Sequence, residues 1–147
     1  MRKELVEKLK KDFPLTYGAV CDERQAYSMF GIEVGDGWYK ILERAGKKME
    51  PLIQAWVDKN PEAEYRPCVS QIKEKYGTMR FYMTCGTDEM FQVASDAEAE
   101  SEGVCEKCGK PGEIRSTSNS WNGWLFTACD EHSEGKVPLK EEPEEDV

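Results

Sequence analysis

Four residues constrain this chain more than any others. Cys105 and Cys108 are followed by twenty residues, then by Cys129 and His132, a C-x2-C-x20-C-x2-H pattern. A thiolate or imidazole repeated after two residues lets a tight turn aim both donors at one point. Two such pairs make the tetrahedral set that Zn²⁺ prefers. Gly109 follows Cys108 directly, where the turn exits toward positive φ and a Cβ would be penalised. The pattern predicts one structural Zn²⁺ held by Cys105, Cys108, Cys129 and His132. A redox Cys-x-x-Cys would open a helix, whereas this pair runs into Gly109-Lys110-Pro111-Gly112. Cys21, Cys68 and Cys85 stand isolated in sequence and read as ordinary reduced cysteines.

With four protein ligands the coordination sphere is closed, and a catalytic zinc needs an open position. His132 is the sole histidine. Once it ligates a metal, no Ser–His or Cys–His nucleophile pair remains. Gly35-Asp36-Gly37 is too short for a phosphate loop and lacks the Lys-Ser/Thr that would follow. A small metal-dependent hydrolase using Asp22, Glu23, Glu33 or Asp36 is the enzymatic alternative, though no spacing singles those carboxylates out. The expectation is a protein that is not an enzyme.

The 147 residues suffice for one small domain plus a metal-stapled module. The 29 acidic and 20 basic residues leave a formal charge of −9, a field that disfavours phosphate backbones. Nucleic acid is therefore an unfavoured partner, and a nucleic-acid-binding or transcription-linked zinc protein is the second alternative. It requires a basic patch, to which the ligand segment contributes only Lys107, Lys110 and Arg115. No apolar run approaches the roughly 20 residues that span a bilayer. Met1-Arg2-Lys3-Glu4-Leu5 lacks the apolar stretch of a secretory signal, so a cytoplasmic setting is expected.

Periodicity predicts a helix over 2–12, with Leu5, Val6 and Leu9 on one face. A short extended piece over 29–35 leads into a Gly35–Gly37 turn, where Asp36 is placed to cap the next helix. That helix runs from about 38 to 57, with Trp38, Leu42, Ala45, Met49, Leu52 and Trp56 as its buried seam. Residues 68–84 read as a hairpin, with helix-then-strand as the alternative. Ile72 and Tyr76 share a face in the arriving strand, and Met79, Phe81 and Met83 in the leaving one. An acidic helix spans 88–102. Two short strands, 113–117 and 124–127, flank Ser118-Asn119-Ser120. The fold class is α+β: a helix/hairpin domain over 1–103, then a treble-clef-like or zinc-ribbon module over 104–136. An acidic tail over 137–147 carries too little apolar surface to order.

Gly35-Asp36-Gly37-Trp38-Tyr39, then Ile72-Lys73-Glu74-Lys75-Tyr76-Gly77-Thr78-Met79-Arg80-Phe81-Tyr82, then the two ligand pairs occur in that order. Over residues 30 to 132 this resembles a group of small zinc-binding proteins carried by bacteriophages and prophages. The resemblance implies a phage-encoded accessory role in a bacterial cytoplasm. Binding and modulating a host or phage protein, including a defence system, follows by analogy. Ser120-Trp121-Asn122-Gly123-Trp124 places two indoles by a loop, and Trp121 and Trp124 are the candidate anchors for a protein partner. The acidic helix would steer a basic one. Oligomeric state is not written in the pattern.

Overall fold

A computed structural model describes residues 1–18 and 31–140. The chain is an α+β mixture. Helix α1 (Lys3–Asp12) leads toward strand β1 (Gly31–Glu33). A 3₁₀ turn (Asp36–Trp38) then runs into helix α2 (Tyr39–Lys59). Strands β2 (Val69–Lys75) and β3 (Thr78–Met83) follow, then helix α3 (Asp88–Ser101). Strands β4 (Glu113–Ser116) and β5 (Leu125–Ala128) lead to a second 3₁₀ turn, Asp130–His132. The helix-then-strand alternative for 68–84 is thereby excluded.

The larger sheet has the order β1-β2-β3. β2 and β3 form an antiparallel hairpin, whereas β1 pairs parallel to β2, Ile32 against Ile72. Parallel neighbours need a crossover, and α2 supplies it. Ile72, Met79 and Phe81 point into the core, where they meet Trp38, Leu42, Met49, Met90 and Ala94. Ile41 and Ile53 widen the buried face of α2 beyond the predicted seam, while Leu52 and Trp56 sit half-buried at its border. The free edge of β3 is closed by α3. Ser101 Oγ accepts from the Met79 N–H at 2.9 Å, and Glu98 Oε1 from the Phe81 N–H at 2.9 Å. An edge that would otherwise template pairing is satisfied by side chains.

Asp36 departs from its expected role. It caps nothing in α2; its two oxygens accept from the Arg2 backbone N–H and Nε, each at 2.7 Å. The Arg2 backbone N–H and guanidinium hold its carboxyl below the ordinary carboxylate range despite some desolvation. Tyr76 departs too. It occupies the two-residue turn with Gly77, its ring 67% exposed, instead of continuing the face of Ile72.

Two further departures concern cysteine and the tail. Cys68 is disulfide-bonded, contrary to the reduced state read from its isolation. Cys85 is a free exposed thiol as expected, and Cys21 lies outside the described residues. Residues 137–140 of the tail expected over 137–147 are engaged with the metal-site hairpin and not free of it. Pro138 bridges to Arg115, the Leu139 N–H donates to the Ile114 carbonyl at 2.9 Å, and the Lys140 carbonyl accepts from Trp121 Nε1 at 3.1 Å. Residues 141–147 lie outside the described residues.

Candidate metal centre

The first ligand pair sits on a knuckle before β4, the second on the 3₁₀ turn after β5. Antiparallel pairing of these strands, Glu113 opposite Ala128 through Ser116 opposite Leu125, closes the twenty-residue gap and brings the pairs together. The ligand atoms of Cys105, Cys108, Cys129 and His132 all lie within 4.8 Å of one another. Cys108 Sγ is 3.6 Å from Cys129 Sγ. His132 Nδ1 is 3.3 Å from Cys129 Sγ and 3.7 Å from Cys105 Sγ. A tetrahedral ion with metal–S near 2.3 Å and metal–N near 2.0 Å sets S···S at about 3.8 Å and S···N at about 3.5 Å. The cluster is compatible with one metal ion of that kind. Among the described residues it is the one Cys/His/carboxylate cluster with that closeness.

The thiols of the cluster shift in opposite directions: at Cys108 the Lys110 backbone N–H lowers the pKa, but burial and the Cys129 and Cys105 thiols outweigh it and raise the thiol above its ordinary value. Burial raises the Cys105 thiol, but backbone N–H groups of Cys129, Cys108 and Lys107 outweigh burial and lower it to about 6. Gly109 has φ +79°, as the knuckle requires. The Cys105 carbonyl accepts from the Gly109 N–H at 2.9 Å and the Cys129 carbonyl from the His132 N–H at 3.1 Å, which closes each x2 turn.

Arg115 positions the second pair, and nothing in its sequence spacing marks it. Read from sequence as a surface cation, it is 3% exposed. Its Nε donates to the Ala128 carbonyl at 3.1 Å, Nη1 to the Lys136 carbonyl at 2.6 Å and Nη2 to Asp130 Oδ1 at 3.0 Å. A planar fork thus ties β4 to residues on both sides of Cys129 and to the strap beyond His132.

The motifs that lie far away in sequence converge on this centre. The Gly37 N–H donates to the Glu106 carbonyl at 2.7 Å and the Gly35 N–H to Glu106 Oε1 at 3.1 Å. A Cβ at Gly37 would collide with the Cys105 carbonyl. Trp38, fully buried, donates Nε1 to the Val104 carbonyl at 2.8 Å. On the other side, the turn of the β2–β3 hairpin abuts β5. Thr127 Oγ1 donates to the Gly77 carbonyl at 2.7 Å, and a Cβ at Gly77 would strike the Ile114 side chain. Gly-Asp-Gly-Trp and Tyr-Gly-Thr are therefore docking points for the segment that carries the four donors.

The remaining candidates divide. Trp121 is half-buried with its indole N–H on Lys140, whereas Trp124 is 72% exposed. Trp124 and Tyr76 flank a cavity of about 320 Å³ that Lys73, Lys75 and Leu125 also line. Glu33 lies exposed on β1, Asp36 is engaged by Arg2, and Asp22 and Glu23 lie outside the described residues. Lys107 and Lys110, both exposed, pair with Glu134 and Glu131. No family model, curated protein or solved structure matches this chain.

Proposed function

We propose that this chain is a non-enzymatic interaction protein of bacteriophage type, stapled by one structural Zn²⁺ in a treble-clef-like or zinc-ribbon module, and that it acts by contact with a macromolecular partner in a bacterial cytoplasm. The observation that carries this is the division of labour at the metal centre. The sole histidine and three of the four free described cysteines are drawn into one four-donor cluster, which leaves no open coordination position and no imidazole for proton transfer. Zn²⁺ is favoured over other ions by three thiolates and one imidazole in a tetrahedral arrangement. The reading is supported by Trp124, exposed beside Tyr76 where the segment carrying the four donors meets the β2–β3 turn. Large exposed aromatics in a rigid setting are the residues that anchor interfaces.

The net charge of −9 by itself favours a protein as the partner. The acidic, solvent-facing side of α3, with Phe91 47% exposed among Asp88, Glu89 and Asp96, is where a basic protein would be steered. The test is retention of bacterial-lysate components, protein and nucleic acid both quantified, on immobilised wild type and on Trp124→Ala. The expected result is a component held by the wild type and lost from a variant with unchanged melting. Equal retention on both would set the reading aside, as would turnover of a nucleotide or ester substrate by the purified protein.

A further inference from the structure

On the face where the metal module meets the β2–β3 hairpin, we infer a site for single-stranded nucleic acid, in which an unpaired base stacks against Trp124 and Tyr76 while Lys73, Lys75 and Arg80 take its phosphates. This rests on the contact function proposed above and gives this one face a ligand other than the protein that net charge alone favours.

Three independent observations meet at this face. The first is charge. Alternation in β2 and β3 sends Ile72, Met79 and Phe81 inward and leaves Lys73, Lys75 and Arg80 on the outer face. Lys73 lies directly opposite Arg80 across the hairpin, an arrangement that like charges disfavour. None of the three is in an ion pair, a state they share with Lys40, Lys48, Lys59 and Lys136; what sets them apart is that they lie together on one face. Glu33 is in register with Lys73 on β1, and Glu74 lies between the lysines, where its Oε1 accepts from the Gly77 N–H at 2.7 Å. Even so, an acidic chain gathers unpaired cations in one place.

The second is Tyr76. It sits at φ +55° in the first position of a two-residue turn that favours Asn, Asp or Gly. The fold holds a large side chain in a strained conformation and recovers no burial for it. Strain at an exposed ring points to use of that ring. Lys75 Nζ rests 5.5 Å from its centroid.

The third is the cavity. Trp124 and Tyr76 are both exposed, and both line the space of about 320 Å³ together with Glu74 and Leu125. The Thr127–Gly77 hydrogen bond at 2.7 Å ties the hairpin turn to β5, so the backbone that carries the two rings is held together. Aromatic faces supply stacking for a base of any sequence and cations follow the backbone. A duplex offers no unstacked base for the two rings. An acidic peptide would satisfy the lysines and leave the two rings without a planar partner.

The experiment measures anisotropy of fluorescein-labelled single strands about 15 nucleotides long, dT and U, with the full-length zinc-loaded protein. A duplex of equal length, a labelled poly-Glu peptide and a single mononucleotide serve as comparators. Single strands should bind at least tenfold more tightly than each comparator. Trp124→Ala and Tyr76→Gly should each weaken binding about tenfold with melting unchanged, since the first side chain is exposed and the second change relieves backbone strain. Lys73→Gln with Arg80→Gln should flatten the dependence on NaCl between 50 and 200 mM. No binding of single strands, equal binding of duplex or poly-Glu, or single-strand binding that both aromatic variants leave intact would overturn the inference. A protein that the wild type retains from lysate and Trp124→Ala loses, with no strand bound, would overturn it alone and leave the contact function standing.

Discussion

At the scale of single residues, the positions with the greatest leverage are those whose polar groups have been taken out of water. Arg115 is the clearest. Its removal leaves the Ala128 and Lys136 carbonyls without their donor next to a metal ligand. Arg115→Ala should cost about 3 kcal/mol of stability, and Arg115→Lys should recover less than half, because an ammonium cannot span the same fork. Chemical denaturation of the metal-loaded protein checks both; a loss under about 0.5 kcal/mol would remove Arg115 from this role. Tyr17 makes a pH prediction. Burial, reinforced by nearby Glu50, raises its phenol well above the ordinary value, and its hydroxyl donates to the Leu42 carbonyl at 2.6 Å. A raised folded-state pKa means that stability is fully present below the unfolded value near 10 and falls as pH climbs beyond it. The melting temperature of wild type should therefore drop more steeply between about pH 9.5 and 11 than that of Tyr17→Phe. Parallel curves would show that Tyr17 does not contribute.

At the scale of elements, the hairpin β4–β5 gathers two remote pairs into one four-donor cluster. Its outer partner is the strap over residues 137–140, which uses the free edge of β4 through Ile114 and Arg115. Truncation after Lys140 should leave stability within about 0.5 kcal/mol, the ordinary scale for surface changes. Truncation after Lys136 should cost about 1–2 kcal/mol, since it frees the Ile114 carbonyl and the Trp121 indole N–H from their partners. Equal melting of the two truncations would show that the strap adds nothing. The 21-residue helix α2 plays a different part: it is the crossover that lets β1 lie parallel to β2 and carries Trp38 to the metal segment.

At the scale of the whole molecule, the metal segment and the α+β body share hydrogen bonds on two sides, through Glu106 and through Gly77. Metal loss should therefore unsettle more than the ligand loops. Removal of the ion with a strong chelator, or Cys105→Ser, should lower overall stability by several kcal/mol, because metal-binding energy in such a segment is folding energy. Elemental analysis should find about one zinc per chain. A chelated protein with unchanged melting would show that the ion is dispensable. Charge is also partitioned at this scale: the net −9 is an average over an acidic α3 and a cationic outer face of β2–β3.

What the sequence determined by itself was local. The ligand spacing, Gly109, the period of α3, the α2 seam from Trp38 to Met49, and the alternation of Met79 and Phe81 are all properties of a few consecutive residues, and each is found as expected. The four-donor cluster was legible because metal coordination imposes a short-range spacing that few other constraints mimic. Only the tertiary structure decided the rest. A three-residue β1 carries too little pattern to announce a parallel partner some forty residues on. Asp36 beside a helix start looks like a cap until Arg2 arrives from another element. Arg115 looks like a surface cation until three acceptors from distant positions surround it. The glycines at 37 and 77 look like turn residues, yet their lack of a Cβ serves close approach of the metal segment. Trp121 and Trp124 are equivalent as letters. One meets the Lys140 carbonyl and the other meets solvent beside Tyr76, because hydrogen bonding and burial depend on what the folded chain brings near.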